Sequence, residues 1–122
     1  MNDQINIVDR AFNFAVRITK LSQALDQSAG TNRTLANQLL RSGTSIGANV
    51  EEAQAAQSRK DFISKMSISS KEARETLYWL RILIASGIMS EQKLSPLKAE
   101  ANEMVAIITT IVKNAQENLV NQ

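Results

Sequence analysis

The apolar residues of this 122-residue chain recur every three to four positions along almost its whole length, and no segment alternates apolar with polar residues. A period near 3.6 is typical of amphipathic α-helices, whereas alternation would indicate a β-strand. Gly30, Gly87 and Pro96 lie at or near the breaks in this pattern. The sequence therefore predicts an all-α protein of four helices joined by short connections.

The four predicted helices span about residues 3–27, 32–57, 58–86 and 95–117 of a single domain covering residues 1–122. Ser58, with Asp61 three residues later, is predicted to cap the third helix. For the fourth helix, Ser95 is a better cap than Ser90, because Pro96 then takes the first helical position, where a missing N–H is tolerated. Short connections between such helices favour a left-handed antiparallel bundle with up-down-up-down topology.

The chain contains no cysteine and no histidine, which excludes several classes of chemistry. Disulfides, thiolate nucleophiles, Cys-type zinc sites and a Ser-His-Asp triad are all ruled out. Glu51 and Glu52 are adjacent, so on a helix they point about 100° apart and cannot share a proton. We expect no enzymatic activity, no metal and no cofactor. The N-terminus does not resemble a signal peptide, and no apolar run is long enough to span a membrane, so a cytoplasmic location is expected.

Apolar residues extend beyond the stripe that one bundle core requires. On the first helix we place Phe12 in the core stripe, with Ile7 and Phe14 outside it, and on the third helix Leu83 also lies outside. A sizeable exposed apolar patch usually marks an interface, which predicts a homo-oligomer. The alternative is a monomer that carries scattered surface apolar residues, as most proteins do.

The second helix carries the most distinctive stretch of the chain. Gly43 and Gly47 lie one turn apart on one face, which indicates close approach of a neighbouring helix, with a ligand groove as the alternative. Polar residues beside them are predicted to form a network with the third helix that fixes the helix register; a functional cleft is the alternative. The residues of this network are Arg41, Ser42, Ser45, Asn49, Glu52 and Glu75.

The net charge of +2 hides an uneven distribution, since the third helix alone carries six basic and three acidic residues. Basic helix faces with an aromatic residue suit phosphate backbones and unpaired bases. The alternative is a solvated face with local ion pairs such as Lys71–Glu75. The candidate nucleic-acid-binding residues are Arg10, Arg17 and Lys20 on the first helix, and Lys71, Arg74, Tyr78 and Arg81 on the third.

Several motifs make the chain similar to a known family. Residues 41–49 read R-S-x-x-S-I-x-x-N, and they are followed by S-R-K-D-F-I at 58–63, K-E-A-R-E-T at 71–76 and Y-W-L-R at 78–81. From about Ala11 to Lys113 the chain resembles the bacterial four-helix-bundle proteins encoded in intervening sequences of large-subunit ribosomal RNA genes. It is also similar to the accessory variability determinant of diversity-generating retroelements. Where the family usually has N-I-A-E-G, this chain has N-V-E-E-A at 49–53.

The resemblance implies a bundle that assembles into a ring-like homopentamer without known catalytic activity. For the retroelement member it also implies a basic surface that engages RNA or DNA and a reverse transcriptase partner. The function predicted here is a non-enzymatic, oligomeric scaffold or nucleic-acid-associated accessory protein. The alternative is a protein–protein interaction module that makes no contact with nucleic acid.

Overall fold

The computed structural model describes residues 3–27 and 30–120, with side chains from Ile7 onward. Its helices are α1 (Asp3–Leu25), α2 (Thr31–Gln54), α3 (Arg59–Ala85) and α4 (Glu91–Val120). Each helix packs on the next, and α4 packs back on α1 less extensively, while neither diagonal pair is in comparable contact. The described residues thus form the predicted all-α four-helix bundle. None of their helices has both the length and the apolar character needed to cross a bilayer.

The connections between the helices follow from a few local signals. The Ser58 side chain accepts a hydrogen bond from the backbone N–H of Asp61 at 3.0 Å, which confirms Ser58 as the cap of α3. Gly87, with φ of +79°, lies just after the end of α3, in the left-handed region that glycine adopts most easily. Helix α2 ends at Gln54 rather than at residue 57, since Ala55 already turns its N–H back to the carbonyl of Glu52.

The predicted start of the fourth helix at residue 95 is wrong. Helix α4 begins at Glu91, and Ser90 caps it by accepting a hydrogen bond from the N–H of Lys93 at 3.1 Å. Leu94 is only 1% exposed, so burial of its side chain favours a helical turn ahead of the proline. Pro96 cannot donate to the carbonyl of Gln92, but the Ser95 hydroxyl lies 3.4 Å from that oxygen instead. Tertiary burial thus outweighs the local preference for proline at the first helical position.

The core differs from the predicted stripes at four large apolar residues. Ile7, Phe14 and Leu83 are fully buried, whereas Phe12 is 58% exposed. Phe12 and Phe14 lie about 200° apart on α1, so only one of them can face the other helices. The apolar surface that remains open is therefore not the surface expected from the sequence. Its large members are Phe12, Val16, Leu40, Ile68, Tyr78 and Val120.

Helices α1 and α2 come closest at the two glycines of α2. A Cβ atom built on Gly43 would lie 2.6 Å from Cγ2 of Ile18, and one on Gly47 would lie 3.3 Å from the backbone of Ala11. Neither glycine has a positive φ. Glycine is therefore needed at these positions because it lacks a side chain and lets the two helices approach, not because of its backbone freedom. The predicted close approach of a neighbouring helix is confirmed, and that helix is α1.

Candidate nucleic-acid interface

The acidic residues in the centre of α3 are turned toward α2. Arg41 of α2 pairs with Glu75 and lies 3.3 Å from Oε2 of Glu72. The indole N–H of Trp79 also donates to Glu75, at 3.1 Å. Glu75 is therefore occupied by α2 and by its own helix, and the local ion pair with Lys71 is not formed.

The cations on the outer side of α3 remain unneutralised. Within the described residues, Lys71, Arg74 and Arg81 are exposed, and no carboxylate oxygen lies within 4.0 Å of their charged nitrogens. Tyr78 lies between them and is 50% exposed. Its ring makes an edge-to-face contact with Trp79, with centroids 5.2 Å apart. This contact steadies the tyrosine while leaving it accessible for stacking against an unpaired base.

The basic residues of α1 are placed differently. Arg10 lies against α4, where its guanidinium donates to Glu100 at 2.6 and 2.9 Å and to Glu103 at 2.8 Å. The hydrogen bond from Arg10 holds the pKa of Glu100 below its usual range, and the same bond chiefly raises the pKa of Arg10. Arg10 therefore joins α1 to α4, and its charge is already matched by two carboxylates.

Arg17 and Lys20 are exposed, but they cannot extend the face on α3 within one bundle. Helices α1 and α3 are diagonal and do not pack on each other. Their outer surfaces point in different directions. Of the seven predicted residues, the structure therefore places Lys71, Arg74, Tyr78 and Arg81 on one continuous face and separates the three of α1 from it.

We expect Arg10→Met to lower the free energy of unfolding by about 1–2 kcal/mol at pH 7, since it leaves a partly buried carboxylate unpaired. The contribution of Glu100 is present above its unfolded-state pKa of about 4.3. It is lost as the pH falls through the lowered pKa of the folded state. Urea unfolding at pH 7 and pH 3 should therefore show the difference between wild type and variant shrinking in acid.

Arg33→Met provides the control for this measurement. It breaks an ion pair with Asp26 in which both side chains are about half exposed, so its effect should stay below about 0.5 kcal/mol. A loss in Arg10→Met that is the same at both pH values would show that the ion pair with Glu100 does not stabilise the fold.

The polar network predicted on α2 falls into separate parts. Ser42 is fully buried, and its Oγ lies 2.9 Å from Oγ1 of Thr76 on α3. Ser45 and Asn49 instead bond to carbonyl oxygens of their own helix, at 2.6 and 2.8 Å. Glu52 is exposed, and its nearest partner is Lys65 at 3.7 Å. Of the six predicted members, only Arg41 and Glu75 are joined to each other across the two helices. Ser45 and Asn49 bond to the carbonyls of Arg41 and Ser45 within α2, and Ser42 pairs with a residue outside the set.

Three residues of α3 form hydrogen bonds to α2, or to the Glu75 that pairs with Arg41, and they are absent from the polar network predicted from the sequence. The buried Ser69 hydroxyl donates to the carbonyl of Ile46 at 2.8 Å, and Thr76 is the buried partner of Ser42. Trp79 donates to Glu75, as described above. Ser69 and Thr76 lie seven residues apart in the core stripe of α3. Small polar residues at that spacing are a signal for hydrogen bonds between helices.

Together these features define a class: a helical bundle with a polar α2–α3 seam and a cationic outer face on α3. The family model described as 23S rRNA-intervening sequence protein matches residues 3–110. The chain therefore belongs to the 23S rRNA-intervening sequence protein family.

A solved structure agrees with this assignment. The chain is similar to a protein of unknown function from the S23 ribosomal protein family of Bacteroides thetaiotaomicron VPI-5482, with 38% sequence identity and a TM-score of 0.85. The match covers 92% of this chain and 99% of the other. No curated protein sequence matches the chain.

Proposed function

We propose that the protein is a non-catalytic, self-associating helical bundle that acts as a nucleic-acid-associated scaffold in the cytoplasm. The observation that carries this proposal is the face of unpaired cations around Tyr78 on α3. Lys and Arg attract any phosphate backbone, and an exposed aromatic ring adds stacking with unpaired bases. The family is named for an element of 23S ribosomal RNA, which makes RNA the first nucleic acid to test.

Self-association would strengthen such binding. One helix face with three cations offers few phosphate contacts, whereas several copies in one assembly would engage one strand at many points. The ring-like homopentamer, the reverse transcriptase partner and the relationship to diversity-generating retroelements rest on the resemblance of the sequence, and they stay predictions.

The test is RNA binding by a variant in which Lys71, Arg74 and Arg81 are all replaced by glutamine. Fluorescence anisotropy with a labelled single-stranded RNA should show an affinity at least about tenfold lower than that of wild type at low salt. The slope of log affinity against log salt should fall by about 2, because three phosphate contacts are removed at about 0.7 each. Circular dichroism should show the same helical content in both proteins.

A triple variant of Arg33, Lys93 and Lys98 to glutamine has the same net charge, but its substitutions lie outside α3. We expect it to bind RNA nearly as well as wild type. Equal losses in both triple variants would mean that the total charge, not the α3 face, attracts RNA. A wild-type protein that does not bind RNA or DNA at low salt would contradict the nucleic-acid part of the proposal.

The second candidate function is a protein–protein interaction module. The observation that favours it is the exposed apolar side chains of Phe12, Val16 and Leu40 on α1 and α2. In that case partner binding would depend on these residues and would be unchanged in the glutamine triple variant of α3. The glutamine triple variant of α3 therefore distinguishes the two functions: it should lose nucleic-acid binding in the first case and keep partner binding in the second.

A further inference from the structure

A groove between α3 and α4 contains a cavity of about 310 Å³. Pockets that bind small ligands begin at about this size. The cavity lies beside the cationic face of α3, and two cations of that face line it. Its lining residues are Ser67, Ser70, Lys71 and Arg74 from α3, and Thr109 and Val112 from α4.

The hydroxyl groups of this cavity lack partners. Ser70 is 8% exposed, yet within the described residues its hydroxyl makes no hydrogen bond, and the same holds for the hydroxyls of Ser67 and Thr109. Several other helical hydroxyls bond to the carbonyl one turn earlier, as Thr110 does at 3.0 Å. Ser67 and Thr109 are exposed, and the hydroxyl of Ser70 is not among the fully enclosed unpaired atoms of the described residues, so all three hydroxyls are free to donate to a ligand in the cavity.

The charged residues that line the cavity are of one sign. Lys71 and Arg74 have no ion-pair partner within the described residues, while the neighbouring Glu72 and Glu75 are engaged by Arg41. An acceptor with negative charge would therefore meet two cations, and none of the lining residues is a carboxylate. The planar guanidinium of an arginine can bind two oxygens of one phosphate, and a lysine adds a point charge.

We propose that this cavity binds a single phosphate group, with Arg74 and Lys71 as cations and the hydroxyls of Ser70, Ser67 and Thr109 as hydrogen-bond donors. The phosphate can come from a free nucleotide or from the backbone of an RNA strand. Val112 supplies an apolar wall for the sugar or base that the phosphate carries. The proposal deepens the function proposed above and rests on it only for the RNA-bound case.

The experiment is an amide NMR titration of the full chain at constant ionic strength with three probes: inorganic phosphate, adenosine 5′-monophosphate and oligouridylate. We expect saturable shifts that centre on the cavity residues for all three probes. Arg74→Gln should weaken binding of the monophosphate about tenfold, because it removes a charged hydrogen-bond donor. Thr109→Val, which keeps the shape of the side chain, should weaken it about threefold.

Each variant has a matched control on the same helix. Arg59→Gln removes an exposed cation near the start of α3, outside the cavity, and Thr110→Val removes a hydroxyl already bonded to its own helix. Both should bind the monophosphate as wild type does. Melting temperatures of all four variants check that each is folded.

The outcomes separate this site from the proposed function. Monophosphate binding at the cavity without RNA binding would support the site and overturn the nucleic-acid function. RNA binding that Arg74→Gln and Arg81→Gln weaken equally, with Thr109→Val unchanged, would support the function and overturn the site. An absence of saturable shifts at the cavity with any of the three probes would also overturn the site.

Discussion

Gly43→Ala is expected to lower the free energy of unfolding by about 1–2 kcal/mol, although alanine is the better helix former. The added Cβ would lie 2.6 Å from Cγ2 and 3.0 Å from Cγ1 of Ile18, well inside van der Waals contact. Ile18 is fully buried, and its β-branched side chain has little rotamer freedom in a helix. The strain therefore exceeds the gain of about 1 kcal/mol in helix propensity.

Combining the two sites tests this explanation directly. Ile18→Ala alone should cost about 3 kcal/mol, because it leaves a cavity in the core. In the double variant the new methyl group of residue 43 can occupy part of that cavity, so the loss should be smaller than the sum of the single losses by about 1 kcal/mol or more. Thermal and urea unfolding of the three variants provide the measurement.

Gly47→Ala is the matched control for this pair, since its Cβ would meet the backbone of Ala11 only at 3.3 Å. It should be clearly less destabilising than Gly43→Ala, and its effect should simply add to that of Ile18→Ala. Strict additivity of the losses in Gly43→Ala and Ile18→Ala would show that a clash with Ile18 is not the reason why alanine is unfavourable at residue 43.

Much of the fold could be predicted because local signals and burial agree. The period of the apolar residues identifies four helices, and Ser58 and Gly87 mark the ends of α3 as their chemistry requires. The choice between Phe12 and Phe14 could not be made in this way. Both residues fit a helical stripe, and only the neighbouring helices decide which stripe is buried. The predicted start of the fourth helix was wrong for the same reason, since burial of Leu94 depends on the other helices.

The candidate site could be predicted less completely because its electrostatics are set between helices. The sequence places Glu75 one turn from Lys71, which favours a local ion pair. In the structure Arg41, 34 residues away, takes Glu75 instead. Arg10 likewise pairs with residues 90 and 93 positions away. Which cations remain available for a ligand is therefore a property of the packed bundle.

For the predicted ring-like pentamer, we expect Phe12→Glu to separate the assembly into single chains. A ring requires two different surfaces on each copy, because each subunit contacts the next through a heterologous interface. Among the exposed apolar side chains of the described residues, Phe12 and Val16 lie on α1, and Ile68 lies on the diagonal helix α3. Losing one large aromatic anchor typically weakens a protein contact by about 2 kcal/mol or more. Light scattering should give a mass of about five chains for wild type and one for the variant.

Ile68→Glu tests the second surface: if Ile68 opposes Phe12 in the predicted ring, this variant should dissociate the ring equally well. Ile68 is not among the residues that line the phosphate cavity. Val120→Glu is the control, since this residue is 83% exposed near the end of α4. A wild-type protein with the mass of one chain would contradict self-association, and a pentamer unaffected by Phe12→Glu would place the interface elsewhere.

Mixing the Phe12→Glu and Ile68→Glu variants distinguishes a ring from an assembly in which each surface pairs with its own copy. The Phe12→Glu chain keeps an intact α3 surface, and the Ile68→Glu chain keeps an intact α1 surface. If these two surfaces meet in a ring, one intact contact can form between the variants, and the mixture should contain a species of two chains but none larger. If each surface instead pairs with its own copy across a two-fold axis, each variant alone would keep one contact and form a dimer before mixing. The mass of each variant alone and of the equimolar mixture therefore determines which surfaces meet.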